Sequence, residues 1–369
     1  MQHHYIGNMA TPKQRDMFKR ALVLVEREDR GTLLTTHNYA DTDGIGSIYA
    51  LKRYLDRIHP NADCAVVLGH ISTPALPLIE TLKIEHVPWQ DIRDNDGRPL
   101  IVLDTCSKTL LNGAIERGHS VLLNIDHHEP NGVGIKPQFA IVNEAAMSAA
   151  ELIASLIPTK YINSDVALAL AVGMAGDSER LNHATSHSLD IFSKLMACSG
   201  RRKPEIDALA YPREDPRTVL KLFKEMRKML YVGLYKETTI AIAKTSLDIP
   251  AILAERLRSH GFAVSVVIKP VAEGMHNLSI RVFFRDAYEK RIYASEIARE
   301  AALRKGKGIE CGGGHIDKAG AVVNGTIKEI VEAVLASIKT VIDRGMVVPQ
   351  PSVPPSVTAS TRVNQPEPL

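Results

Sequence analysis

Acidic and histidine side chains gather in four short segments of this chain. The first reads His37-Asn38-Tyr39-Ala40-Asp41-Thr42-Asp43-Gly44-Ile45-Gly46-Ser47. The second is Asp104, directly after the apolar run Leu100-Ile101-Val102-Leu103. The third is Asp126-His127-His128, after Val121–Ile125, and the fourth is Asp177, at the end of the run Ala167–Gly176. Brought together, about four carboxylates and two imidazoles would carry more negative charge than one pocket tolerates unneutralised. Divalent cations are the natural compensation. Oxygen and imidazole donors without thiolates favour Mn²⁺, with Mg²⁺ or Co²⁺ as alternatives. Six or more ligands suffice for two ions, and two ions roughly 3.5–4 Å apart suit phosphoryl chemistry. Taken singly, each segment also has an ordinary structural reading. An Asp at a strand end caps the next helix, Asp43 before Gly44 is a turn residue, and a lone buried His is a satisfied core residue. The four in this order, at the ends of elements, are what point to chemistry.

The elements that must position them alternate between strand and helix. Thr11-Pro12 is a helix start, running to about Asp29 with Phe18, Leu22 and Val25 on one face. Thr32–Thr36 reads as a strand, and Ile45–Leu55 as a helix. Apolar strands follow at Ala65–Leu68, Leu100–Leu103, Val121–Ile125 and Phe139–Val142, and Glu144 to about Cys198 reads as helical. Continuous apolar runs of this length suit parallel strands covered on both faces, so the fold class expected is α/β with a doubly wound parallel sheet. In such a sheet ligands bind outside the carboxyl ends of the strands, where three of the four segments lie. A second, smaller α/β domain is expected across a cleft. It has a helix at Leu220–Leu230, strands at Thr238–Lys244, Val264–Lys269 and Leu278–Phe284, and helices at Ile249–Ser259 and Ala294–Arg304. A final helix opens with the capping box Thr326-x-x-Glu329. The expected boundaries are 11–199 for the first domain, a polar, Pro-interrupted linker at 200–219, 220–346 for the second domain, and a Pro-, Ser- and Thr-rich disordered tail at 347–369.

With 369 residues the chain is long enough for two domains, and 45% hydrophobic against 24% charged residues excludes a mostly disordered chain. Cys64, Cys106, Cys198 and Cys311 lie far apart, which excludes a disulfide scaffold and a Cys-based zinc site. No apolar run is long enough to span a bilayer, so no membrane role and a cytoplasmic location are expected. Met1–Cys198 holds 18 Lys and Arg against 23 Asp and Glu, whereas Ser199–Leu369 holds 27 against 19. An acidic half that holds metal and a basic half that holds a phosphate-rich ligand is one reading of this asymmetry; an incidental imbalance is the other.

His-x-x-x-Asp-x-Asp, a later isolated Asp, Asp-His-His and a further Asp resemble the four motifs of the DHH phosphoesterase superfamily. Gly312-Gly313-Gly314-His315-x-x-x-Ala319-Gly320 is similar to the signature of the DHH-associated C-terminal domain. The resemblance implies that His37, Asp41 and Asp104 hold a first metal. It implies that Asp43, Asp104, His127 and Asp177 hold a second, with Asp104 shared. His128 would face the substrate phosphate as an electrostatic partner or acid, and Asp126 would orient an imidazole. Arg281, Gly312, Gly313, Gly314, His315 and Lys318 would bind substrate, Arg281 through its bidentate guanidinium. Gly44, Gly46 and Ser47 offer either backbone N–H groups to a phosphate or close strand–helix packing. The chain departs from the family in Lys318 and in Gly176-Asp177-Ser178-Glu179, which alters the surroundings of the substrate phosphate. The activity implied is two-metal hydroxide attack on short RNA or DNA or small nucleotides, as in the nanoRNase/oligoribonuclease group, including adenosine 3′,5′-bisphosphate phosphatase action. Alternatives are hydrolysis of cyclic dinucleotides such as cyclic di-AMP, RecJ-like single-strand exonuclease activity, hydrolysis of inorganic pyrophosphate or polyphosphate, and a non-catalytic nucleotide-binding module. A homodimer is the assembly the resemblance suggests.

Overall fold

A computed structural model describes residues 4–93, 96–111, 113–128, 134–213, 215–306, 311–314 and 316–347. The chain divides into two compact units, Met1–Arg213 and Glu214–Leu369. His315 and the tail after Val347 lie outside the described residues.

The first unit opens with α1 (Pro12–Glu26), closed at its start by a reciprocal capping box between Thr11 and Gln14. It continues through β1 (Thr32–Thr35), β2 (Tyr39–Ala40), α2 (Thr42–Ile58), β3 (Cys64–Leu68), β4 (His70–Ile71), α3 (Leu76–Leu82), β5 (Val87–Pro88), β6 (Leu100–Leu103), β7 (Val121–Asp126) and β8 (Phe139–Val142). Helices α4 (Ala149–Leu156), α5 (Ser164–Asp177), α6 (Ser186–Ser199) and α7 (Lys203–Ala210) complete it. Six strands form a parallel sheet in the order β5-β3-β1-β6-β7-β8. Every residue of β1, β6 and β7 is buried, which is why these strands read as mostly apolar runs with no alternation of apolar and polar residues. The chain leaves β1 toward β3 on one side and later returns to β6 on the other. The β1/β6 boundary is therefore the switch point of the sheet, where the carboxyl ends of neighbouring strands splay to form a crevice.

The region read as helical from Glu144 to about Cys198 contains three α-helices. Ser148, Asn163 and Thr185 each cap a new start with a side-chain oxygen. Helix α5 is buried from Val166 to Ala175 and packs along α2. Glycine makes that approach: a Cβ at Gly46 would collide with the carbonyl oxygen of Ala169, and one at Gly176 with Oγ1 of Thr42.

The second unit contains α8 (Pro216–Met226), β9 (Met229–Tyr235), β10 (Thr238–Lys244), α9 (Pro250–Ser259), β11 (Val264–Ala272), β12 (Met275–Val282), α10 (Phe284–Glu289), α11 (Ala294–Lys305), β13 (Gly312–Gly314), β14 (Lys318–Asn324) and α12 (Ile327–Val347). Its sheet runs β13-β14-β12-β11-β10-β9, with only β10 and β11 parallel. Three expectations are corrected here. The helix read at Leu220–Leu230 ends at Met226, and Met229–Tyr235 is an edge strand instead. The strand read at Leu278–Phe284 is Met275–Val282, and Phe284 begins α10. Lys318–Asn324, of which only Lys318–Gly320 was read, as part of a glycine motif, is a strand paired between β13 and β12. A short helix, α7, lies within the stretch read as linker.

Candidate metal centre

The carboxyl end of β1 delivers His37, and Asp41 is the N-cap of α2. One Asp41 oxygen, Oδ1, accepts the backbone N–H groups of Asp43 (3.0 Å) and Gly44 (3.1 Å), while Oδ2 lies 3.7 Å from His37 Nε2. The capping role and the chemical role therefore fall on different oxygens of one carboxylate. The N–H of Gly44 is taken by this cap, and added Cβ atoms at Gly44 and Gly46 would strike Thr36 and Ala169. Close packing is thus what these two glycines serve.

Asp43, in the first turn of α2, is 1% exposed. Its two oxygens accept N–H groups from the start of α4, Ala149 at 2.7 Å and Ala150 at 2.9 Å, where the helix dipole favours negative charge. Even so, burial and then the neighbouring carboxylates Asp104 and Asp177 hold Asp43 well above the ordinary carboxyl range. A carboxylate in that state is best relieved by a cation.

Asp104 follows the last residue of β6 with φ of +61°, a left-handed conformation that Asp and Asn tolerate best among residues with a Cβ. Its N–H donates to Ile125 O at 2.9 Å. This turn aims the two carboxylate oxygens at different imidazoles: Oδ2 lies 3.6 Å from His37 Nε2, and Oδ1 lies 3.4 Å from His127 Nε2. His127 Nε2 also lies 3.1 Å from Oδ2 of Asp177, the last residue of α5, and 4.0 Å from Oδ2 of Asp43. Three groups result among the described residues, His37/Asp41/Asp104, Asp43/His127/Asp177 and Asp104/Asp126/His127/His128, with Asp104 in the first and third and 3.4 Å from His127 of the second.

Asp126 ends β7 and is fully buried. Its Oδ1 accepts the backbone N–H of His127 (2.8 Å) and of His128 (3.2 Å), and faces Nδ1 of the His128 ring at 2.8 Å. It therefore orients His128 rather than His127. Burial alone would push the Asp126 carboxyl up, but the His128 ring outweighs it and the net direction is down. Burial likewise opposes a charged His128, and Asp126 outweighs that, so His128 is raised.

For His37 and His127 burial again acts against the imidazolium. The carboxylates win: Asp104 and Asp41 raise His37 to about 10, and Asp104 and Asp177 raise His127 to about 12. In the metal-free protein protons thus occupy the nitrogens that a metal needs. A metal entering here would have to displace them, so its affinity is expected to rise with pH across the neutral range.

A divalent cation fits the donors present. Oδ1 of Asp104 and Nε2 of His127 are buried and find no hydrogen bond among the described residues, although they face the same small volume. Buried carboxylate oxygens and imidazole nitrogens that converge on one volume without well-formed hydrogen bonds are the donor set a divalent cation takes.

Sequence reasoning missed two supports of this centre. One is the start of α4, which receives Asp43; Ser148-x-x-Glu151 was the available capping signal, and Ser148 Oγ accepts Glu151 N–H at 3.1 Å. The other is Tyr211, whose hydroxyl donates to Gly176 O (2.6 Å) and Ala175 O (3.2 Å) just before Asp177. No sequence signal linked Tyr211 to that helix end.

In the second unit, Arg281 on β12 and Lys318 on β14 are direct cross-strand partners, and Gly314 pairs with Ala319 beside them. Arg281 Nε lies 3.4 Å from Glu255 Oε2 of α9. Gly312–Gly314 form an edge strand, not a loose turn. Gly314 has φ of +141°, and a Cβ at Gly312 would collide with Ala298 O. Only Gly313 faces open space.

Residues 32–174 match the DHH family, N-terminal domain. This match lies within the first unit of the chain. An exopolyphosphatase-related protein from Bacteroides fragilis shares its fold over 91% of this chain and 98% of its own, with a TM-score of 0.72 and 15% identity. RecJ from Thermus thermophilus, solved in complex with Mn²⁺, is similar over 89% of this chain and 55% of its own, with a TM-score of 0.52 and 17% identity. In sequence, an uncharacterised protein of Methanocaldococcus jannaschii is 26% identical over 174 residues, 44% of this chain and 50% of that protein. The chain thus spans about half the length of this curated relative.

Proposed function

We propose that this chain is a Mn²⁺-dependent phosphodiesterase or phosphatase that hydrolyses short oligonucleotides or small nucleotides, with adenosine 3′,5′-bisphosphate among them. The family is one of phosphoesterases. The observation that carries the reading is Asp104, whose two oxygens face two separate imidazole–carboxylate groups. His37, Asp41 and Asp104 would hold one cation, and Asp43, Asp104, His127 and Asp177 a second. When bound, such a pair supplies Lewis acidity at the phosphoryl group and activates water at neutral pH.

The chain's own groups do the rest. Asp126 accepts from Nδ1 of His128, which fixes that ring and keeps a proton on that nitrogen. As an imidazolium, His128 carries a second proton on Nε2. That proton can be donated to a phosphoryl or leaving oxygen, and the side chain is 30% exposed, enough to meet one. The buried walls of β1, β6 and β7 keep the carboxylates fixed and exclude water from behind them. In the second unit Arg281, Gly312, Gly313, Gly314, His315 and Lys318 are assigned to the substrate, the two cations to its phosphates.

A turnover panel tests the reading. It comprises 5′-phosphorylated di- to pentanucleotides of RNA and DNA, adenosine 3′,5′-bisphosphate, cyclic di-AMP, a long single strand, pyrophosphate and polyphosphate. Mn²⁺-dependent hydrolysis of the short oligonucleotides or the bisphosphate is expected. Hydrolysis of neither overturns the proposal.

A further inference from the structure

Tyr39 stands in sequence between His37 and Asp41, two residues assigned to the metal centre, yet the chemistry above does not use it. Its side chain is 64% exposed, while the next residue, Ala40, is fully buried. The chain is extended through this stretch, with Asp41 at φ −104° and ψ −170°. Successive side chains of an extended chain point to opposite sides, so Tyr39 and Asp41 point the same way. Asp41 Oδ2 lies 3.7 Å from His37 Nε2. Tyr39 is thus on the same side of the strand as Asp41, its Cα two strand residues, roughly 6–7 Å, from that of Asp41. That is comparable with the span from a phosphorus atom to the base of its own nucleoside.

The ring is held in place. Strand β2 pairs in parallel with β4, and Tyr39 lies directly opposite His70. The two rings make an edge contact, with centroids 5.4 Å apart and planes at 70°. Asn38 N–H donates to Leu110 O (2.8 Å), His70 N–H to Asn38 O (3.1 Å) and Ser72 N–H to Ala40 O (2.9 Å). The backbone on both sides of the ring is therefore tied down. An edge contact covers at most one face of the tyrosine ring. A rigid aromatic with two side-chain torsions and an open face loses little entropy on stacking, and every nucleobase offers it a π-face.

We propose that Tyr39, braced by His70, is a stacking platform for a nucleobase beside the metal centre. Resting on the reading of that centre as a phosphoesterase site, it follows that the preferred ester carries a heteroaromatic ring next to the reacting phosphate. An inorganic phosphate chain would find nothing to stack there.

The test compares equilibrium binding of adenosine 5′-monophosphate and ribose 5-phosphate to the Mn²⁺-loaded full chain by calorimetry. The two ligands share a phosphate and differ by the base. Wild type is expected to prefer the nucleotide. Tyr39→Ala is expected to reduce that preference about 10-fold, and Tyr39→Phe to retain it. His70→Ala, which removes the brace, is expected to reduce it in the same direction. An equal preference in wild type and Tyr39→Ala overturns the platform. Because the readout is binding, its failure is distinct from failure of the phosphoesterase reading, which shows as absence of Mn²⁺-dependent turnover across the substrate panel.

Discussion

Asp104→Asn is expected to abolish metal loading and to lower hydrolysis at least about 100-fold, while leaving the metal-free protein folded. The two halves of this expectation have separate causes. Asn has the same size as Asp and shares its tolerance of positive φ, so the left-handed turn after β6 and the N–H bond to Ile125 O persist. What is lost is charge and one ligand oxygen. The Asn amide offers one oxygen where the carboxylate offers two, yet both the His37 side and the His127 side draw on this residue. Equilibrium dialysis with Mn²⁺, thermal melting of the metal-free protein and turnover read the three components. A variant that keeps full activity and metal content removes Asp104 from the centre.

Gly46→Ala is expected to destabilise the protein by about 1–3 kcal/mol, despite replacing a helix-interior glycine with the best helix former. The added carbon would meet the carbonyl oxygen of Ala169, a backbone atom on α5 that cannot rotate aside. Helices α2 and α5 would have to part. They carry Asp43 and Asp177, which both approach His127 Nε2. Weaker Mn²⁺ binding should therefore accompany the loss of stability. Urea denaturation of the metal-free variant measures the first effect and dialysis the second. An unchanged or raised midpoint would show that the helices do not approach as closely as described.

Much of the first unit was legible because its physics is local and repetitive. Leu100–Leu103 and Phe139–Val142 read as strands at their observed limits, since short apolar runs bounded by polar residues have few other uses. The geometry brings His37, Asp41, Asp43, Asp104, His127 and Asp177 together because strand ends at a switch point converge. The second unit was less legible. Leu230, Val232 and Leu234 of β9 are exposed on an edge strand, so their apolar character carried no burial signal. Lys318–Asn324 is rich in small residues and has no strong strand pattern of its own; its place comes from pairing with β12 and β13. Tyr39 and Tyr211 were overlooked for a further reason. The exposure of one and the hydrogen bonds of the other exist only after folding.

The central claim is that the clustered acids and imidazoles hold two cations that share Asp104. Calorimetric titration of the metal-free chain with Mn²⁺, in two buffers of different ionisation enthalpy, tests it most directly. Two ions per chain are expected at neutral pH. Protons should be released as His37 and His127 surrender theirs, and the binding should tighten as pH rises. No binding, or binding with the same apparent enthalpy in both buffers, would contradict it.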